Sequence, residues 1–223
     1  MSDGTFASVF MDLARTSPTT EARSSATAPV NGPRGFLGFV ASTDGGQSLS
    51  APLKIADWTY PINSQFLSYL PELAVDRSKG PFQDRLYVVW TDTRSGRGEI
   101  YLSWSSDHGR TWSSPRTVND DAPRHTGYGP DNLHASVAVN NDGIVAVSWY
   151  DRRDTADNKG WKACFAASLD GGITFIPSVV VSEVAYEPTR NQPSIVNESI
   201  ERTVRNTGAK YTLPTLALRL QRR

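Results

Sequence analysis

The stretch Ser105-Ser106-Asp107-His108-Gly109-Arg110-Thr111-Trp112, SSDHGRTW, decides the fold, because its pattern occurs three times. Ser42-Thr43-Asp44-Gly45-Gly46-Gln47-Ser48-Leu49 and Ser168-Leu169-Asp170-Gly171-Gly172-Ile173-Thr174-Phe175 repeat Ser-x-Asp-x-Gly-x-(Ser/Thr)-apolar. The aspartates stand at 44, 107 and 170, so both intervals are 63 residues. A fixed period carrying four fixed elements marks a repeat architecture in which each copy is one supersecondary unit.

The unit extends upstream and downstream of the turn. Apolar residues alternate before each copy: Leu37, Phe39 and Ala41; Ile100, Leu102 and Trp104; Ala163, Phe165 and Ala167. Period two predicts strands. Earlier still, a denser run closes on an aromatic and then an acid, at residues 7–12, 86–92 and 145–151. Such continuous hydrophobicity predicts strands covered on both faces. Leu73-Ala74-Val75-Asp76 and Val137-Ala138-Val139-Asn140 read as a further short strand. Residues 52–55, 115–118 and 178–181 read as the last strand of each unit. Each unit is thus four short strands, and no helical period competes with them.

Inside the turn the residue types have defined work. Asp107 is a natural acceptor for backbone N–H groups that lack ladder partners. Gly109 permits a conformation that a Cβ disfavours. Thr111 offers a hydroxyl to the same network, and Trp112 can fold over it. Asp44 and Asp170 repeat the arrangement with Ser42, Gly46, Ser168, Gly172 and Thr174, and Leu49 and Phe175 stand in the covering position. One carboxylate per unit cannot converge on one substrate, so these turns are expected to be structural.

Four antiparallel strands per repeat describe a propeller blade. The turns resemble Asp-box (BNR) repeats, and residues 5–183 resemble the sialidase-like β-propeller superfamily. The resemblance implies an all-β fold with a six-bladed ring, about twice this length. Only about three blades' worth of strands is present. The layout reads as a partial first blade at 1–57 with a long loop at 16–34, a connector at 58–70 and a second blade at 71–120. An inter-blade loop at 121–133 and a third blade at 134–183 follow. The start of a further blade occupies 184–198, and a basic tail, read as disordered, occupies 199–223. Three blades leave apolar faces wet. The chain is therefore expected to be a segment of a longer protein, or alternatively to self-associate into a full ring.

The resemblance also says where to look. In that superfamily the Asp-box turns lie opposite the active face, so function is sought where strands two and three are joined and where blades connect. That face carries Asp12 with Arg15, Asp92 with Arg94, and Asp151 with Arg152 and Arg153, together with Tyr128 and Tyr150. Planar guanidinium groups suit the carboxylate of an acidic sugar bidentately. Each Asp–Arg pair can equally tie a loop to the neighbouring blade. The resemblance further implies an arginine triad, an acid/base aspartate and a tyrosine nucleophile assisted by a glutamate, in departure from the two-carboxylate scheme. An Arg-(Ile/Leu)-Pro signature goes with that activity, and no such tripeptide occurs here. Tyr128 and Tyr150 match a nucleophile by type alone, and Glu99 and Glu183 stand in strands without evident partners. The reading is a non-catalytic interaction surface for acidic glycan or protein, with a truncated sialidase-type glycoside hydrolase as the alternative.

Other classes are excluded or weakened by composition. Lys and Arg total 23 against 23 Asp and Glu, which gives no global attraction to nucleic acid or an anionic membrane. A lone Cys164 excludes an internal disulfide framework and cysteine metal clusters. No metal or cofactor motif is present, and no apolar run approaches the ~20 residues of a membrane span. The opening residues lack the basic start and apolar core of a signal peptide, although the resemblance suggests a secreted or cell-surface protein.

Overall fold

A computed structural model describes residues 1–13, 35–59, 70–125, 129–155, 158 and 160–186. Loop 16–34, Tyr128, residues 187–198 of the expected further blade and the basic tail lie outside the described residues. The described residues form three antiparallel sheets and no helix. The first holds β1 (Phe6–Leu13), β2 (Gly35–Ser42) and β3 (Leu53–Trp58) in that order. The second runs β4 (Glu72–Val75), β5 (Leu86–Asp92), β6 (Glu99–Ser105) and β7 (Arg116–Thr117). The third runs β8 (Asn132–Val139), β9 (Val145–Asp151), β10 (Lys162–Ser168) and β11 (Val179–Val180). Each sheet is a meander of chain-consecutive strands, the order of a propeller blade. The ring is not closed.

Two apolar layers join the three blades. Leu37, Phe39 and Trp58 of blade one meet Leu86, Val88, Trp90 and Tyr101 of blade two. Tyr87, Val89, Ile100 and Leu102, on the other face of blade two, meet Val145, Val147, Trp149 and Cys164 of blade three. Alternation along β5 therefore sends its even residues to blade one and its odd residues to blade three. Trp58 is 3% exposed, and its indole N–H donates to the Thr91 carbonyl at 3.0 Å.

The expectation of strands covered on both faces holds for β5 alone, every residue of which is buried. In β9, Ser148 and Tyr150 are exposed and Ala146 is half-buried, while Val145, Val147, Trp149 and Asp151 are buried. In β1, Phe6 is 62% exposed. The physical reason is position: among the described residues, blades one and three each have a neighbour on one side only.

The three repeat turns share one hydrogen-bond scheme. The hydroxyls of Ser42, Ser105 and Ser168 donate to Asp44, Asp107 and Asp170 at 2.7–2.8 Å. The same oxygens accept the N–H of Gly46, Gly109 and Gly172 at 2.8–2.9 Å. Each aspartate also accepts the amide and the hydroxyl of Ser48, Thr111 or Thr174. Gly109 has φ +85°, and a Cβ there would run into the Phe39 ring of blade one. Trp112 donates to the Gly109 carbonyl at 3.1 Å and packs edge-on against Phe39. Phe175 packs against the layer between blades two and three. Leu49 does not cover its turn: it is 66% exposed, because no described blade lies beside Gly46 to complete a pocket.

Candidate functional site

Strand β6 begins at Glu99 and ends at Ser105, so the repeat turns and the Asp–Arg hairpins lie at opposite ends of each sheet. The hairpins share a second scheme, Trp-x-Asp-x-Arg. In blade two, Asp92 is fully buried and accepts from the Trp90 indole at 3.2 Å, the Arg94 amide at 2.8 Å and the Arg94 guanidinium at 2.5 Å. Arg94 also donates to the Asp57 carbonyl of blade one at 2.7 Å, and its guanidinium lies 4.8 Å from the Tyr101 ring centre. In blade three, Asp151 accepts from the Trp149 indole at 3.1 Å, the Arg153 amide at 2.7 Å and Arg153 Nε at 2.8 Å. Arg153 further donates to Asp120 of blade two and to Ser178, both at 3.0 Å. Burial works against charge on Arg94 and Arg153, but the bond to Asp92 or Asp151 and the charge behind it outweigh burial and raise both pKa values.

Arg152 is placed differently. Its nearest carboxylate is Asp131 at 3.6 Å, beyond hydrogen-bond length, and its Nε is buried without a hydrogen-bond partner. The guanidinium lies 5.8 Å from the centre of Trp161, in a row of rings. His134 stacks on Tyr150 at 5.7 Å, Tyr150 lies 5.8 Å from Trp161, and Trp161 lies 5.1 Å from Tyr186. His134 sits on the irregularity between Leu133 and Ser136 with φ +59°, an uncommon conformation outside glycine. Tyr150 is 41% exposed.

The structure also joins residues that sequence reasoning left unpaired. Glu99, expected to lack partners, accepts from Arg97 at 3.0 Å and from the Tyr101 hydroxyl at 2.9 Å. Arg97 is buried, pairs with Asp121, and donates to the Pro130 carbonyl at 2.9 Å. Asn132 bridges Asp121 and the Trp149 indole, both at 2.9 Å. The signal for Glu99 was its spacing: Arg97, Glu99 and Tyr101 alternate, so they share one side of an extended segment. The partners Asp121 and Asn132 carry no such local mark.

This Tyr–Glu pair brings together the residue types of a tyrosine nucleophile and its base. Its environment runs the other way. Tyr101 is 8% exposed between blades one and two, and burial, followed by the bond and charge of Glu99, raises its pKa to about 12. A phenol in that state is a weaker nucleophile at neutral pH.

No family model matches the chain, and no curated protein matches it. The solved structures it is similar to include sialidases and GH93 α-L-arabinofuranosidases. An intramolecular trans-sialidase from Ruminococcus gnavus, in complex with oseltamivir carboxylate, is 20% identical over 68% of this chain and 27% of that one, with TM-score 0.46. A protein of unknown function from Dyadobacter fermentans is 22% identical over 81% of this chain and 48% of its own, with TM-score 0.49. A GH93 α-L-arabinofuranosidase of Fusarium graminearum, in complex with arabinobiose, is 16% identical over 69% and 42%, with TM-score 0.44. The chain spans less than half the length of each.

At the hairpin end of the sheets, Asp92 with Arg94 and Asp151 with Arg153 form clamps, and Arg152 joins Tyr150 in the aromatic row. Asp12 is exposed at the end of β1, and Arg15 lies outside the described residues. Among the described residues, no group of three or more His, Cys, Asp or Glu side chains is placed to hold a metal ion.

Proposed function

We propose that this chain is a non-catalytic segment of a sialidase-like β-propeller that acts through its surfaces, with the open faces of its end blades as contacts for protein. The observation that carries the reading is the engagement of the arginines. Arg94 and Arg153 each donate to a buried carboxylate and to a second, neighbouring element. A ligand carboxylate at either would have to displace a bonded, desolvated partner, and separating such a buried pair costs about 3–5 kcal/mol. Outward, Phe6, Tyr150, Val179, Val180 and Val181 are 41–64% exposed, an uncommon concentration of large apolar groups at two sheet faces and one sheet edge.

A second reading rests on Arg152. Its guanidinium is partly exposed beside Trp161 and lies 3.6 Å from Asp131, which suits an acidic sugar with the carboxylate on the guanidinium and the ring on the indole. A fluorogenic sialoside and a titration with free sialic acid, followed by tryptophan fluorescence, test both readings. The expected result is no turnover and no saturable change. Turnover that disappears in Tyr150→Phe or Tyr101→Phe would replace the proposal with the hydrolase alternative. Saturable binding lost in Arg152→Ala and Trp161→Ala would establish the acidic-sugar reading instead.

A further inference from the structure

The two junctions within the chain repeat one contact. The turn glycine of each blade sits on a strand residue of the blade before it, three positions ahead of that blade's turn serine. Gly109 lies against Phe39. Gly172 lies against Leu102 and Tyr87, where a Cβ would stand 3.3 and 3.1 Å from their carbons. Phe39, Leu102 and Phe165 are equivalent positions, as are Gly46, Gly109 and Gly172. Gly46 has nothing within 4 Å of where its Cβ would stand, and Phe165 projects from the outward face of blade three, in register with exposed Ser148. One half of the repeated contact therefore stands open at each end of the unit.

The two open faces also complement each other in size. Tyr87, Val89 and Ile100, which carry blade two onto blade three, are matched in blade three by Ala146, Ser148 and Ala163. Around Phe165, blade three thus presents a shallow patch of small residues, with Tyr150 and Trp161 standing toward the hairpin end of the same face. On blade one, Phe6 and Phe10 hold the positions of Leu86 and Trp90, and the Phe10 ring covers Gly38. Blade one thus presents aromatic knobs. Large groups on one face opposite a shallow patch on the other are what close packing across a junction needs.

We propose that the occupant of these faces is a second copy of this chain, with blade one of each copy seated on blade three of the other and Gly46 on the partner's Phe165. Each junction is head-to-tail, and a twofold axis relating two such junctions closes a six-bladed ring and leaves no free face. The proposal rests on the reading of the end blades as contact surfaces.

Light scattering on the eluting full chain, at low and high micromolar concentration, tests it. The expected mass is twice that of the chain. Phe6→Glu and Phe165→Glu should each weaken association by about 30-fold or more, as loss of a central anchor does. A mixture of the two variants should regain part of it, because one of the two junctions is then wild type on both sides. Thermal melting of each variant as a folded chain separates this result from misfolding, and the regain cannot come from unfolded protein. A wild-type monomer at high concentration, an open-ended polymer, or a dimer untouched by both variants would each overturn the proposal. Sialoside turnover is measured on the same samples: a monomer without turnover removes the second copy alone, whereas turnover removes the non-catalytic reading whatever the mass.

Discussion

Gly109 and Gly46 occupy the same position in two copies of one turn, with φ of +85° and +92°. A Cβ costs each roughly 1 kcal/mol or more through the left-handed backbone. At Gly109 the added methyl also meets the Phe39 ring, whereas at Gly46 it meets open space. Gly109→Ala should therefore destabilise by about 2–4 kcal/mol and Gly46→Ala by about 1 kcal/mol, compared by denaturant midpoint in a Phe165→Glu background. The turn aspartates predict a pH dependence. Bonds from the Ser48 hydroxyl and amide and from Ser42 hold Asp44 well below the usual carboxylate range. Burial works against ionisation of Asp107 and Asp170, but the Thr111 and Thr174 hydroxyls and amides outweigh it, bringing Asp170 to about 2. Lowered folded-state pKa values contribute stability that is complete above the unfolded value near 4 and is lost as pH falls toward the folded value. The melting temperature should hold from these groups above about pH 5 and fall between about pH 4 and 2. A variant carrying Asp44→Asn, Asp107→Asn and Asp170→Asn should start lower and fall less.

At the scale of the element, the β9–β10 hairpin depends on Arg153. Its guanidinium meets Asp151 within the hairpin, Ser178 ahead of β11 and Asp120 after β7, so one side chain holds three segments. Asp151 is 1% exposed, and removing its cation leaves a buried charge. Arg153→Ala should cost about 3–5 kcal/mol, and Arg153→Lys should recover little, since an ammonium cannot reproduce the planar fork. Asp120→Asn, at a half-exposed partner, should cost about 1 kcal/mol or less. Equilibrium unfolding of the three variants checks the order. The β5–β6 hairpin uses the same device through Asp92 and Arg94, with the Asp57 carbonyl as its neighbouring anchor.

At the scale of the molecule, the middle blade is covered on both faces and the end blades on one. Amide hydrogen exchange should accordingly be slowest in β5 and β6 and faster in β1 and β9, because local opening follows buried contact. Association of end faces should slow β1 and β9 selectively as concentration rises. A sequence-local rule could place the aromatic residues of both faces on strands, but it could not say which were bare. Tyr150 and Thr91 occupy equivalent positions, yet Thr91 is 1% exposed and Tyr150 is 41% exposed, since blade three covers one and the other has no neighbour.

The four-strand unit, its 63-residue period and the chemistry of its turns were legible in the sequence because they are local. Every bond of the scheme the three turns share joins residues at most four apart, so eight letters specify it, although Arg85 also reaches Ser106 and the Gly171 carbonyl from outside. The Asp–Arg clamps were half legible: the pairing at i and i+2 is local, but the second partners of Arg153 are 33 and 25 residues away. Glu99, Arg97 and Asp121, the bareness of Leu49 and the open faces of blades one and three were decided by tertiary structure. A long charged side chain or an apolar strand face takes its partner from whatever blade stands beside it, and that neighbour is set by packing between repeats, not by the pattern within one.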